Sequence, residues 1–276
     1  MLSNIRILLA ACKNLNISYD ILHPNQNLVR VKLDKYYYFS NYSTPFNSQS
    51  IAQIFKDKEY TYQILKESIN LPRSISFLSP FCDEKYQQYL EFQTIPEIVE
   101  TINNSFDLPL IIKRNSGSGG NNVFLCRSQP EISTALSTIF NIHSKNYDYC
   151  ALAQEYIPIK NEYRVIFFNQ ELLLVYEKNI SSANFAGNLS PLHWEGAKAK
   201  YIDHPQILSE IEKFTQPIFQ ELEVNYAGLD IAVDQKGTYW LIEINSHPNY
   251  DIFIRDNGDQ KVLKIFEKLL LSLIEP

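Results

Sequence analysis

Apolar and polar positions alternate most regularly near the C-terminal end. There Gly228-Leu229-Asp230-Ile231-Ala232-Val233 and Tyr239-Trp240-Leu241-Ile242-Glu243-Ile244-Asn245 read as two strands joined around Gln235-Lys236-Gly237. Successive strand side chains point to opposite faces. Symmetric antiparallel pairing about the turn predicts Val233 opposite Trp240, Asp230 opposite Glu243 and Gly228 opposite Asn245. Leu229, Ile231 and Val233 then share an apolar face with Trp240, Ile242 and Ile244, which leaves Asp230, Glu243 and Asn245 together on the other. Further strands are predicted at residues 17–22, 27–33, 36–40, 75–78, 110–113, 123–127 and 152–157, with a hairpin of 162–168 and 171–178 about Asn169-Gln170. Helical spacing predicts helices at 5–14, 97–104, 129–142 and 260–273, and one over 206–222 that Pro217 interrupts. A long helix over 48–68 would bury Ile51, Ile54, Phe55, Tyr62 and Leu65 and end before Pro72. The mixture is α+β: a short N-terminal α/β segment with a leading helix (1–68), a small lobe (69–155) and a larger lobe (156–276).

Composition narrows the functional classes. With 276 residues, 45% of them hydrophobic, the chain can bury a large core. No run of about 18 apolar residues suggests a membrane span, and the first residues carry no convincing cleavage site, so a soluble, cytoplasmic protein is expected. Cys12, Cys82, Cys126 and Cys150 are widely spaced without a CxxC pair, which predicts buried, reduced thiols. A net charge of -6 argues against nucleic acid and anionic membranes as partners. Any anionic ligand must therefore meet a local cluster of positive charge.

Two stretches supply candidate chemistry. Carboxylates directly opposed across strands repel, and a hard cation with oxygen ligands, Mg²⁺ in particular, is the ordinary reason for tolerating Asp230 opposite Glu243 beside Asn245. The plain alternative is an exposed hairpin whose acids face water. Upstream, a strand ending in Lys113-Arg114 runs into Asn115-Ser116-Gly117-Ser118-Gly119-Gly120-Asn121-Asn122. Glycines let backbone N–H groups approach anionic oxygens, so such a loop can close over polyphosphate with Lys113 at its base. Neither the P-loop nor the dinucleotide fingerprint is present, and a glycine-rich hairpin turn without a ligand is the alternative. His23, His143, His193, His204 and His247 are far apart in sequence; only His247 falls beside the candidate metal residues.

The order of Asp57-Lys58, Lys113 with its glycine-rich loop, Gln154-Glu155-Tyr156-Ile157, Arg164, Lys178, Asp230 and Glu243-Ile244-Asn245 resembles the ATP-grasp superfamily over about residues 47–249. The stretch from Thr44-Pro45-Phe46-Asn47 through Asp57-Lys58 is most similar to ligases related to cyanophycin synthetase, glutathione synthetase and ribosomal-protein glutamate ligases. The resemblance implies an ATP-grasp fold in which two α+β lobes sandwich ATP. It implies that Lys58, Lys113 and the loop residues Ser116, Gly117, Gly119 and Gly120 meet the phosphates. Glu155 and Ile157 would border adenine, and Glu162 would reach the ribose or the adjoining site. Arg164 and Lys178 would line the phosphoryl-transfer region, and Asp230, Glu243 and Asn245 would bind Mg²⁺, with Mn²⁺ as the alternative.

The implied activity is an ATP- and Mg²⁺-dependent carboxylate–amine ligase that forms an amide through an acyl phosphate, acting on an amino acid, a peptide or a peptide-like metabolite. An ATP-grasp-like small-molecule kinase and a non-catalytic ATP-binding regulator are the alternatives. The chain departs from the pattern in three places. Residues 184–196 are longer and bulkier than the usual compact stretch, which makes Asn188, His193 and Trp194, with Asn249, candidates for substrate binding. Lys178 stands where relatives often carry Arg, and Ser246-His247-Pro248 lacks a Pro-Gly pair. About 50 residues precede Asp57, too few for the α/β domain of many relatives, so a homodimer or partner subunit is expected to complete the substrate site.

Overall fold

The structure is a computed structural model that describes residues 1–117, 119–184 and 189–274, and only the backbone at His193. The chain opens with α1 (Ser3–Asn14) and an antiparallel sheet of β1 (Ser18–Ile21), β2 (Leu28–Lys32) and β3 (Tyr36–Ser40). The helix expected over 48–68 is two helices, α2 (Gln49–Lys56) and α3 (Lys58–Leu65). Asp57 separates them with an extended backbone (φ -95°, ψ 106°), and its carboxylate accepts the Tyr60 N–H. An aspartate competes for backbone donors inside a helix but satisfies them at its start. Apolar spacing runs through this break and conceals it.

The small lobe contains β4 (Ser74–Leu78), α4 (Ile95–Ser105), β5 (Leu110–Arg114), β6 (Val123–Cys126), α5 (Gln129–Ile139) and β7 (Cys150–Glu155). Its antiparallel sheet has the order β4-β7-β5-β6. Thr94 and Glu97 form a reciprocal capping box at the start of α4. The two helices cover one face of the sheet, where Phe77, Ile98, Ile102, Ile112, Leu136 and Ala151 form a core. The opposite face presents Ser74, Lys113, Leu152 and Gln154 to the rest of the chain.

The remaining elements are β8 (Ile159–Phe168), β9 (Glu171–Asn179), β10 (Lys198–Tyr201), α6 (Pro205–Thr215), α7 (Ile218–Glu221), β11 (Tyr226–Asp234), β12 (Tyr239–Asn245), α8 (Asp251–Asn257) and α9 (Gln260–Leu271). They form an antiparallel sheet of order β10-β9-β8-β11-β12 with helices on both sides. The β8–β9 turn needs no glycine because Asn169 (φ 46°) and Gln170 (φ 67°) both take the left-handed conformation. The interruption at Pro217 falls as expected between α6 and α7. Strand β10 and helix α8 have no counterpart in the sequence pattern.

Each face of this sheet has a distinct role. Val165, Phe167, Leu229 and Ile231 pack with Phe55, Leu65, Ile211 and Ile218. On the other face, Ile166, Tyr176 and Tyr226 pack against a core built from α1, the first sheet, α8 and α9, including Leu8, Val31, Phe253 and Phe266. Two positions farther along each strand that same face turns charged, at Arg164, Lys178 and, beyond Gly228, Asp230. The face opposite the first core is therefore half core and half site.

The β11–β12 register keeps Gly228 opposite Asn245 and Asp230 opposite Glu243, as expected. A bulge at Ile242 then shifts the pairing, so Val233 meets Tyr239 rather than Trp240. Leu241 replaces Ile242 in the core and Tyr239 packs beside it. Trp240 instead donates its indole N–H to Asp234 at 3.1 Å. All four cysteines are buried and unpaired. Among the described residues no helix is long and apolar enough to cross a membrane.

Candidate active site

Strand β11 has a neighbour on each side, so Asp230 lies between Glu243 of β12 and Arg164 of β8. Arg164 Nε is 2.6 Å from Asp230 Oδ1, and its Nη2 donates to Oδ2 at 3.1 Å. Lys178 Nζ lies 3.1 Å from the same Oδ1 and also donates to Glu162. Arg164 Nε and Asp230 Oδ1 are both buried without an aligned hydrogen bond, so their close approach is a charge contact. Burial works against the charge on Lys178, but Asp230 and then Glu162 outweigh it and raise the ammonium above its ordinary range. Burial also holds the Glu162 carboxyl up, and Lys178 offsets part of that rise. Gly228 leaves room for the Arg164 side chain here. A Cβ at this position would stand 3.2 Å from Arg164 Nη1 and 3.3 Å from Pro248 Cβ.

The cation expected between the opposed acids is in part supplied by the chain itself. Arg164 and Lys178 serve Asp230, while Lys58 Nζ is 3.5 Å from Glu243 Oε2 and Asn245 Nδ2 donates to Oε1 at 2.9 Å. Burial pushes the Glu243 carboxyl up; Lys58, the Asn245 hydrogen bond, Arg164 and Lys113 outweigh it and bring it to about 2. Repulsion between the acids is thus no reason by itself to require a metal. The donor set nevertheless fits a hard cation. Asp230, Glu243 and Asn245 share one sheet face, and Asp230 Oδ1 is a buried carboxylate oxygen without a hydrogen bond. Among the described residues no three His, Cys, Asp or Glu side chains converge to cage a metal. Mg²⁺ needs only one or two carboxylates, with waters and phosphate oxygens completing its shell.

Across the cleft, Lys113 is buried and donates to Gln154 Oε1 at 3.0 Å, while Gln154 Nε2 donates to Ser74 Oγ at 2.9 Å. Among the described residues Lys113 has no ion-pair partner. Burial first, then the charge of Lys58, lowers its pKa to about 7. Gln154 was not among the expected site residues, although alternation on β7 already placed it two positions from Leu152 on the cleft face.

Lys58 Nζ also donates to Gly117 O at 2.5 Å, which ties the start of α3 to the glycine-rich loop. The loop is further held by Ser116 N–H donating to Asp148 Oδ2 at 2.7 Å. Gly119 (φ 65°) and Gly120 (φ 70°) are both left-handed, a conformation that side chains resist. Lys58, Lys113, Gln154 and Glu243 line a cleft of only about 20 Å³, room for a water molecule. Sites for small-molecule ligands are roughly 300 Å³ or more, so a ligand of nucleotide size would fit here only with the small lobe and β12 farther apart.

The other expected residues are more dispersed. Glu155 accepts the Arg73 N–H at 2.7 Å, and Ile157 follows it, half-buried, where the chain leaves β7. Asn249 is exposed; its amide donates to Tyr42 Oη at 3.4 Å and its Oδ1 accepts the Asp251 N–H. Trp194 is half-buried at the end of a single 3₁₀ turn, Pro191–His193. Asn188 and Ser118 lie outside the described residues, as does the His193 side chain. Ser246 Oγ and His247 Nδ1 are 2.8 Å apart beside Asn245.

Comparison with known proteins places the fold. The D-alanine–D-alanine ligase of Bacillus anthracis has a similar fold (TM-score 0.57, 21% identity, 80% of this chain and 67% of that one). So do the ATP-grasp ligase PsnB solved with a minimal precursor (0.53, 16%, 81% and 63%) and a bifunctional glutathione synthetase from Pasteurella multocida (0.52, 15%, 97% and 44%). In sequence, the chain is 28% identical over 159 residues to the MG012 homologue of Mycoplasma pneumoniae, covering 56% of this chain and 49% of that protein. It is 26% identical over 156 residues to MG012 of Mycoplasma genitalium, covering 56% and 48%. The chain thus spans about half the length of these curated relatives. The model of the RimK-like ATP-grasp domain matches residues 85–269, from the small lobe through the acids of β11 and β12 into α9, and the chain belongs to that family.

Proposed function

We propose that the protein is an ATP- and Mg²⁺-dependent carboxylate–amine ligase acting on an amino acid, peptide or peptide-like metabolite. The observation that carries this reading is Lys113, a buried lysine beside Lys58 that forms no ion pair among the described residues and shares its cleft with Glu243. A buried cation without a counter-ion is costly, and a polyphosphate supplies that counter-ion. Lys58, Lys113 and the loop bearing Ser116, Gly117, Gly119 and Gly120 hold the phosphates. Glu155 and Ile157 border adenine, and Glu162 faces the ribose side. Asp230, Glu243 and Asn245 hold Mg²⁺, which when bound neutralises phosphate charge.

A substrate carboxylate oxygen attacks the γ-phosphorus of ATP, the bond to the bridging oxygen breaks, and ADP leaves. Arg164 and Lys178 stabilise the charge on the transferred group. An amine then attacks the acyl carbon, phosphate leaves, and the amine's proton passes to solvent or to a neighbouring base. Asn188, His193, Trp194 and Asn249 form the acceptor side, and a second subunit completes it. The test is phosphate release with ATP, Mg²⁺ and paired substrates. Release that requires both an acid and an amine, with an amide found by mass spectrometry, supports the reading; a stable phosphorylated product from one substrate alone refutes it.

A further inference from the structure

A second cavity lies outside the cleft that Lys58 and Lys113 line. It measures about 290 Å³ and opens between the start of α3 and the ends of β4 and β7. Asp57, Glu59 and Glu91 contribute carboxylates to its lining, and Tyr60, Tyr89 and Tyr149 contribute rings; no Lys, Arg or His lines it. Lys58 and Glu59 are adjacent in sequence but belong to different sites, Lys58 lining the cleft and Glu59 this cavity. Asn115 stands between, accepting the Glu59 N–H at 2.9 Å.

Three features show that the cavity lacks a positive charge. None of the three acids forms an ion pair among the described residues. Asp57 is nine-tenths buried and commits only Oδ1, to the Tyr60 N–H, while Glu59 Oε2 is buried without any hydrogen-bond partner. Burial, followed by the charges of Asp148, Glu59 and Asp57, pushes the Cys150 thiol in the wall above its ordinary range. The start of α3 accommodates part of the charge of Asp57 and Glu59, but Glu91 comes from a separate segment.

The rim is aromatic and open. Tyr89 is 65% exposed, Tyr60 56% and Tyr149 48%. Tyr149 stacks on Tyr86 (centroids 6.4 Å apart, planes at 16°), and Lys85 Nζ already lies 4.7 Å over the Tyr86 ring. Carboxylates beside exposed rings, with Asp57 buried, Glu59 half-buried and Glu91 exposed, suit an organic cation, which the ring faces attract and the acids neutralise.

We infer that this cavity binds a short organic cation, an alkylammonium or guanidinium group of a few carbons, between the carboxylates of Asp57, Glu59 and Glu91 and the rings of Tyr60, Tyr89 and Tyr149. The site is independent of the nucleotide reading because it shares no side chain with the phosphate-binding set. The group can arrive as a free amine or as a side chain of a peptide.

Isothermal calorimetry on the full chain in amine-free buffer tests this with putrescine, agmatine and the capped amino acid N-acetyl-lysine methylamide, against the uncharged 1,4-butanediol. Saturable one-to-one binding of a cationic probe, with none for the diol, supports the site. Putrescine or agmatine alone identifies a free amine, and comparable binding of the capped lysine identifies a side chain. Glu59→Gln with Glu91→Gln should weaken binding about tenfold, and Tyr89→Ala, at an exposed ring, about threefold. Lys113→Met should leave it unchanged. No binding by any cationic probe, equal binding of the diol, or full affinity in both the Gln and the Ala variants would overturn the inference.

Discussion

Arg164 and Asp230 face each other across neighbouring strands with Nε 2.6 Å from Oδ1, and both belong to the charged end of a sheet face whose other end is core. Lys178 joins them from β9 and is also paired with Glu162, so Asp230 is the carboxylate paired with Arg164 and one of two paired with Lys178. Removing either kind of partner leaves the other uncompensated, which is the costly way to disturb a buried pair.

Asp230→Asn should therefore lower stability by about 3 kcal/mol at neutral pH. The loss should be partly restored in the double variant Asp230→Asn with Arg164→Met. Urea unfolding of the single and double variants forms the cycle, and strictly additive losses would show that the two side chains are not coupled.

Lys113 gives a pH dependence whose sign is fixed. Its folded-state pKa of about 7 lies below its ordinary value of 10.5. Below about 7 both states carry the proton and the cost of burying the charge is fully present. Between 7 and 10.5 the unfolded chain binds more protons, so stability rises with pH. Lys113→Met should be more stable than the parent at pH 6, and the difference should shrink by about 3 kcal/mol at pH 9. The same variant should bind ATP at least about tenfold more weakly; unchanged ATP affinity would remove Lys113 from the site.

Glu243→Gln keeps the shape of the side chain and its contact with Asn245 but removes the charge beside Lys58. It should abolish Mg²⁺-assisted ATP binding and turnover while the variant still unfolds cooperatively. Parallel titrations of nucleotide with and without Mg²⁺ decide the matter. A Mg²⁺ dependence equal to that of the parent would place the metal elsewhere.

Trp194→Ala addresses the acceptor side. The KM for the amine or acid should rise about tenfold while the KM for ATP stays within about twofold, as steady-state kinetics would show. A change confined to ATP would assign the loop to the nucleotide instead.

Acid denaturation offers a further check on Glu243. Its pKa, lowered to about 2, contributes stability that is fully present above 4.5 and lost as the pH falls toward 2. Lys58→Met removes the main charge responsible, so its stability deficit should be largest at neutral pH and diminish below pH 4, as measured by unfolding across that range.

Local pattern was enough to place Asp230, Glu243 and Asn245 on one face, because a two-residue repeat and a short turn settle nearly all of a hairpin. The stripes of α9 and the break at Pro217 were legible for the same reason: each depends on residues within a turn or two. The bulge at Ile242 was not, since one extra residue leaves the composition of a strand unchanged and only the ladder of its neighbour reveals it. Asp57 carried a capping signal, but the apolar spacing on either side matched one longer helix.

What the amino-acid sequence determined by itself was the kind of chemistry present and its order along the chain. Which charges meet was decided by the tertiary structure. Arg164 lies opposite Asp230, and Lys178 beside both, only because β8 and β11 pair across the sheet; Lys58 reaches Glu243 only because α2 and α3 run past the edge strand β12. Periodicity acts between neighbours along the chain, whereas the balance of buried charge is struck between segments that folding alone brings within a few ångströms of one another.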